Sequence, residues 1–244
     1  MKGGKSLKYI LDFELKNNIT KSDYRSTFIS FFKKSLENYF EGRFFDQYYG
    51  PDSKGKDLSW SVRFDKPVFK EELIELASTK VSMTLKTGDQ ETAYIYFSSL
   101  LNMKNVAYNI GNDNQMILKN IRLVRESDVL GNFAVFKILS PICIRLHDKK
   151  TNKDTYLSVE DADFEEELKR KLKEDMNNFG KEIDSLIFDL SKLKKIVVPV
   201  FGIKIDATIG TFFVQGSNEV LNHMKNYSLG SRRNSGFGLI EQVY

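Results

Sequence analysis

Leu7-Lys-Tyr-Ile-Leu-Asp-Phe-Glu-Leu15 alternates cleanly, with Leu7, Tyr9, Leu11, Phe13 and Leu15 on one side and Lys8, Asp12 and Glu14 on the other. A period of two belongs to a half-buried strand. Ser22 stands where it can cap the next segment, in which Phe28, Phe31, Phe32, Leu36 and Tyr39 recur at helical spacing. A polar loop from Gly42 to Asp57 leads to a second alternating run, Leu58 to Asp65, with Trp60, Val62 and Phe64 together. An extended stretch over 79–87 precedes Gly88-Asp89, which opens a helix with Ala93, Phe97, Leu100 and Leu101 on one face. Residues 106–124 read as further strand, with a hairpin at Gly111-Asn112-Asp113. Strand, helix, strand, strand, helix, strand is the split βαβ order of ferredoxin-like folds.

Arg125-Glu-Ser-Asp128 and Gly131-Asn132 mark a boundary, after which the order recurs. Phe133 to Leu146 is strand-forming and Asp148 to Asp154 reads as a charged turn. A helix from Ala162 buries Phe164, Leu168, Leu172 and Met176, with Gly180 placed to end it. Extended stretches over 183–190 and 196–206 are followed by 207–215, a short helix with Val220, Leu221 and Met224, and a last strand from Phe237 to Tyr244. Allowing one extra hairpin, the chain is α+β with two tandem ferredoxin-like (RRM-like) βαββαβ domains, residues 1–128 and 129–244.

A chain of 244 residues holds two such cores. Hydrophobic residues make up 41% and charged residues 29%, with four prolines, which excludes collagenous, low-complexity and disordered classes. The net charge of +4 permits a polyanionic partner, and the 19 Phe and 11 Tyr suit stacking on unpaired bases once the cores are filled. The single cysteine, Cys143, lies in an apolar run and reads as a small buried hydrophobe, leaving no disulfide framework and no cysteine metal cluster. No run has the length of a membrane span, so an intracellular, cytoplasmic protein is expected.

The stretch richest in chemistry is Ser228-Leu-Gly-Ser-Arg-Arg-Asn-Ser-Gly-Phe-Gly238. Glycines let main-chain N–H groups converge on an anion, and Arg232 and Arg233 offer forked donors to phosphate. An ordinary Gly-rich turn is the competing reading. Arg25, near the start of the first helix, is a second phosphate-contact candidate. His147, ending a strand beside Asp148, reads as a strand-end surface residue, and His223 as a helix histidine that can face a ligand. Neither has the spacing of a metal site. Glu165-Glu-Glu167 with Lys169-Arg-Lys171 reads as a solvated helix face.

The sequence resembles the CRISPR-associated endoribonucleases that cut the repeats of precursor guide RNA, the "Cas-six" family. Gly230-Ser-Arg-Arg-Asn-Ser-Gly-Phe-Gly238 resembles the family's terminal Gly-rich loop. Leu139-Ser-Pro-Ile142 resembles the opening of its second domain, and Tyr24-Arg25 with the later Trp60-Ser61 its first. The first glycine of the loop is Ser228 here, and the loop after the first helix carries Tyr48-Tyr49 where many members place a histidine. The resemblance implies a metal-independent endoribonuclease with CRISPR repeat RNA as partner and no cofactor. It also allows association with other effector-complex proteins or a second copy of the chain.

By the same resemblance, Lys56 stands near the position of an active-site lysine, with Lys54 as a nearby substitute, and Tyr48 or Tyr49 near that of the histidine. An aromatic pair anchoring a loop is the other reading of the tyrosines. Gly230, Ser231, Arg232, Arg233, Asn234, Ser235, Gly236, Phe237 and Gly238 are expected to approach the RNA backbone, on the side of a cleft between the domains. RNA carries its own nucleophile, so attack by a 2′-OH gives a 2′,3′-cyclic phosphate and a 5′-OH without metal. Two alternatives stand beside this: a non-catalytic RNA-binding member of the same superfamily, and a protein-interaction module with no RNA role.

Overall fold

The computed structural model describes residues 6–50 and 57–244. The chain divides into two compact units: residues up to Arg125 together with Pro199–Phe201, and Glu126–Val198 together with Gly202–Tyr244.

The first unit runs β1 (Leu7–Leu15), β2 (Ile19–Lys21), α1 (Tyr24–Glu37), α2 (Phe45–Tyr49), β3 (Ser59–Phe64), β4 (Val68–Phe69), β5 (Leu73–Glu75) and β6 (Lys80–Thr87). It continues with α3 (Gln90–Asn102), β7 (Ala107–Gly111) and β8 (Asn114–Val124). The main sheet is antiparallel in the order β3-β6-β1-β8-β7. β2, β5 and β4 form a small separate sheet. Alternation places β1 at the centre of the main sheet: Tyr9, Leu11, Phe13 and Leu15 are buried, in a core shared with Phe28, Phe31, Phe32 and Leu36 of α1. Trp60 is fully buried, its ring 6.0 Å from Phe28 and 5.7 Å from Phe32. Asn112 and Asp113 both take left-handed φ, 53° and 52°, which matches the twist of a two-residue hairpin between β7 and β8.

Three local expectations are corrected here. The cap of α1 is Asp23, whose carboxylate accepts from Ser26 N, not Ser22. The expected loop over 42–57 contains α2. On α3, Tyr96 takes the buried position while Leu101 is exposed, because the face follows Ala93, Tyr96 and Leu100.

The second unit runs β9 (Phe133–Ile138), β10 (Ile144–Asp148), β11 (Lys153–Leu157), α4 (Phe164–Asp175), α5 (Gly180–Asp184), β12 (Ile187–Asp189), β13 (Leu193–Val200), β14 (Ile203–Gln215), α6 (Asn218–Tyr227) and β15 (Ile240–Gln242). Its sheet is β12-β14-β9-β15, with β13 also paired to β14. This is the strand order that β3, β6, β1 and β8 take in the first unit, so both units are ferredoxin-like and the fold is the tandem one read from sequence. The strand expected over 133–146 is two strands. Pro141 has no N–H for a ladder, and the chain re-enters a separate hairpin, β10 with β11. Gly180 does not end α4; it begins α5, which also replaces the strand start expected at Ile183. The final strand is confined to Ile240–Gln242, because 237–239 are committed to the loop described next.

Candidate nucleic-acid interface

After α6 the chain folds back on itself. Leu229 N donates to Gly238 O at 2.9 Å, Gly238 N to Pro141 O at 2.8 Å, and Ser231 N to Cys143 O at 2.8 Å. The loop is thereby zipped to the segment between β9 and β10. A Cβ on Gly230 would lie 2.6 Å from Cys143 O, and one on Gly238 1.9 Å from Leu229 O; both residues sit at φ +75°. These glycines serve close approach of backbone to backbone, and the N–H groups of Ser231 and Gly238 are directed at carbonyls rather than held out for an anion. Gly236, Phe237 and Gly238 are buried, and Phe237 has no exposed surface. The Phe237 side chain fills the interior under the loop, where an aromatic ring buries most area.

Ser231, Arg232, Arg233, Asn234 and Ser235 are half-buried, and Arg233–Ser235 form one 3₁₀ turn. Arg233 forks onto Asp175 at 2.7 and 3.1 Å and also donates to Tyr227 O at 3.2 Å, tying the loop to the end of α4. Its charge is matched. Ser235 Oγ donates to Asn234 Oδ1 at 3.3 Å, within the turn. Arg232 turns the other way, its guanidinium over the Tyr156 ring at 5.2 Å and hydrogen-bonded to the Tyr156 hydroxyl. Burial pushes the Tyr156 phenol up, and Arg232 partly offsets this.

The register of the β10–β11 hairpin sets Arg145 opposite Tyr156 and His147 opposite Asp154, putting four functional side chains on one face. Arg145 Nε lies 2.7 Å from Asp154, His147 Nδ1 2.8 Å and Arg232 3.6 Å. Arg145 and His147, in that order, hold the Asp154 carboxyl below the usual carboxylate range. Arg145 N donates to Ser231 Oγ at 3.0 Å, joining hairpin and loop. Beside them opens a groove of about 320 Å³ lined by Arg145, His147, Arg170, Lys171, Ser231 and Arg232.

Of these, sequence reasoning singled out only Arg232 and Ser231 as ligands. Arg145 and His147 carry a period-two signal that becomes legible once the hairpin register is known. Arg170 and Lys171 do pair along the helix, with Glu167 and Glu174, as the solvated-face reading expects, but the same side chains also wall the groove.

His223 lies elsewhere, its ring stacked on Tyr227 at 4.5 Å and its Nε2 buried without a hydrogen-bond partner among the described residues. Burial lowers its pKa to about 4, against the pull of Asp175. Among the described residues no cluster of three or more His, Cys, Asp or Glu side chains has the arrangement of a metal site.

The residues of the first unit are placed differently. Tyr48 is 3% exposed on α2, its hydroxyl donating to Thr92 Oγ1 at 3.2 Å and its ring edge-on to Tyr96 at 5.1 Å. Tyr49 is partly buried, accepts from the Tyr96 hydroxyl at 3.5 Å and has Lys33 Nζ 5.2 Å from its ring centre. Burial raises both phenols, Tyr49 to about 12. Arg25 is 4% exposed, its guanidinium 4.7 Å from the Tyr24 ring centre, so it faces the protein interior. Lys54 and Lys56 lie outside the described residues.

Residues 124–242 match the family model for "CRISPR associated protein Cas6, C-terminal". No curated protein matches the chain in sequence. Among solved structures, a Cas6-related protein from Pyrococcus furiosus superimposes with a TM-score of 0.81 at 18% identity, covering 98% of both chains. A RAMP protein binding different RNA substrates gives 0.81 at 18% identity, over 98% of this chain and all of the other. A CRISPR-associated protein Cas6 gives 0.76 at 18%, with the same coverage. At these identities the likeness is one of fold.

Proposed function

We propose that this chain, whose residues 124–242 match the C-terminal model of the CRISPR-associated Cas6 proteins, is a Cas6-type protein that binds CRISPR repeat RNA and cuts it by 2′-OH attack. The reaction leaves a 2′,3′-cyclic phosphate and a 5′-OH and needs no metal. The observation that carries the RNA-binding part is the groove in the second unit, where Arg145, Arg170, Lys171 and Arg232 converge beside the Gly-rich loop. Forked guanidiniums and a lysine at a polar, open surface suit a phosphodiester backbone, which is bound through its charge and read in shape. The hydroxyl of Ser231, fixed by the hairpin, supplies a neutral donor at the same wall.

Cleavage asks more of the protein than binding: an in-line geometry, a group to take the 2′-OH proton and a source of positive charge for the transition state. Tyr48 and Tyr49 are poor bases, since a phenol is already protonated at neutral pH and burial raises both further. In the active-site reading they orient the RNA or donate a proton, with Lys54 and Lys56 supplying charge. The buried tyrosines favour a second reading, in which the chain binds the repeat without cutting it.

End-labelled CRISPR repeat RNA incubated with protein in EDTA tests the proposal, with a parallel set of substrates carrying a single 2′-deoxy nucleotide at each candidate position. Cleavage at one site, abolished by one deoxy substitution, is the expected result. Tight binding without cleavage at excess protein leaves the binding-only reading standing alone. Retention of RNA unaffected by raising the salt would refute the groove as its phosphate site.

A further inference from the structure

Three segments of the first unit meet at Tyr96 of α3, which is fully buried. Its ring lies 5.8 Å from that of Phe32 on α1 and 5.1 Å from that of Tyr48 on α2, and its hydroxyl donates to the Tyr49 hydroxyl at 3.5 Å. Tyr49, the last residue of α2, is only partly buried and forms the rim of this aromatic cluster. Lys33 and Lys34 follow Phe32 on α1, both exposed, and differ in what they meet. Lys34 pairs with Glu37 at 3.3 Å. Lys33 forms no ion pair among the described residues; its Nζ stands 5.2 Å from the centre of the Tyr49 ring instead. A carboxylate would cancel the charge of the ammonium. An aromatic face restrains a flexible lysine through the ring quadrupole and leaves its charge and its hydrogens available to an anion. The same ring adjoins, in sequence, the stretch that carries Lys54 and Lys56.

We propose that Lys33 is a catalytic residue of RNA cleavage, its ammonium contacting a non-bridging oxygen of the reacting phosphate, and that Tyr49 is the positioning residue that aims it through the face of its ring. The inference rests on the ribonuclease reading above and changes the part Tyr49 plays in it, from a hydroxyl that orients RNA or donates a proton to a ring that holds a cation. In the step, the 2′-oxygen bonds to phosphorus as its proton passes to water. The bond from phosphorus to the 5′-oxygen breaks, and that oxygen takes a proton from water. Lys33 neither gives nor receives a proton. Negative charge grows on the non-bridging oxygens as the fifth bond forms, so a cation already in place there lowers the transition state more than the bound substrate. The hydroxyl of Tyr49 is poorly suited to proton transfer, since burial raises it to about 12 and Tyr96 already donates to it. Tyr48 donates to Thr92 Oγ1 at 3.2 Å, so both tyrosines pin α2 against α3 and fix the ring that faces Lys33.

The test is single-turnover cleavage of repeat RNA at saturating protein, run alongside equilibrium binding, for Lys33→Ala, Lys33→Arg, Tyr49→Leu and Tyr49→Phe. Lys34→Ala, one residue along the same helix, is the surface control and should cleave at the wild-type rate. Lys33→Ala is expected to lower the rate about 100-fold while leaving the dissociation constant within about threefold. Lys33→Arg keeps the charge and can stack on the ring, so it should recover much of the loss, which a residue needed to release a proton would not do. Tyr49→Leu should lose more rate than Tyr49→Phe, which keeps the ring. Sulfur in place of the contacted non-bridging oxygen should slow wild type and leave Lys33→Ala unaffected, a dependence that a purely structural role does not produce. If wild type cleaves and Lys33→Ala cleaves equally fast, the charge comes from elsewhere; the ribonuclease reading survives and this inference falls. It falls also if Lys33→Ala loses rate and affinity in proportion and sulfur slows it as much as wild type, for Lys33 is then only a charge on the binding surface. A loss in Tyr49→Phe equal to that in Tyr49→Leu would return the role to the hydroxyl and overturn the aiming by the ring. Binding without cleavage by wild type would overturn both the inference and the reading beneath it.

Discussion

Replacing Gly238 by alanine puts a methyl group 1.9 Å from Leu229 O, a separation no Cβ tolerates, on a residue at φ +75°. The left-handed conformation alone costs a non-glycine residue about 1 kcal/mol or more. The clash can be relieved only by moving the strand of loop that carries Leu229, whose N–H donates to Gly238 O, and losing that bond costs about 1 kcal/mol more. With the displaced packing around the buried Phe237, the whole is about 3 kcal/mol. A domain of roughly this size loses about 4 °C in melting temperature per kcal/mol, so a fall of about 12 °C is expected in a calorimetric scan. Gly180→Ala is the internal control, because nothing lies within 4 Å of the added Cβ, and it should melt with wild type. RNA affinity, measured below both transitions, should change little for Gly238→Ala. The reasoning is refuted if Gly238→Ala melts within about 2 °C of wild type yet binds RNA much more weakly, for then the glycine exists to let RNA approach.

Four further outcomes follow from the geometry. His223 has a folded pKa of about 4, below its unfolded value, so its contribution is complete above pH 6.5 and is lost as the pH falls toward 4. His223→Gln should therefore flatten the acid limb of stability by up to about 3 kcal/mol, read from urea midpoints at pH 7 and pH 4.5. Tyr49, raised to about 12, contributes stability below pH 10 that is lost as the pH climbs to 12. Tyr49→Phe should then be less sensitive than wild type over that interval, and ultraviolet titration should show one fewer late-ionising phenol. Arg170→Ala and Lys171→Ala should each reduce the slope of log affinity for RNA against log salt by about 0.7, and an unchanged slope would remove that side chain from the phosphate contacts. Arg233→Ala should lower stability by about 1 kcal/mol through loss of the partly buried Asp175 pair. It should weaken RNA binding less than Arg232→Ala does, and the opposite ranking would show that Asp175 releases Arg233 to the ligand.

The fold was legible because it is written in local periodicity. The alternation of 7–15 and the helical recurrence of Phe28, Phe31, Phe32 and Leu36 state which face must be buried, and the order of such segments leaves few topologies open. Where the reading erred, the cause was an interaction that local pattern does not contain. Asp23 rather than Ser22 caps α1 because the cap depends on which residue leaves helical geometry first. Tyr96 rather than Leu101 is buried because its partners, Phe32 and Tyr48, come from distant segments.

The candidate site divides in the same way. Residue types by themselves marked the Gly-rich stretch as special, since glycines crowd a short polar loop and the two adjacent arginines promised phosphate. Only the tertiary structure decided that the glycines pack backbone on backbone, that Phe237 is interior, and that Arg233 is held by Asp175 while Arg232 faces a groove. It also brought Arg145, His147 and Asp154 to that groove, residues whose significance depends on the register of one hairpin and on a helix and loop far away in sequence. Periodicity is a property of neighbours along the chain and survives without a fold, whereas a binding site is a convergence of charges from separate elements and exists only once those elements are packed.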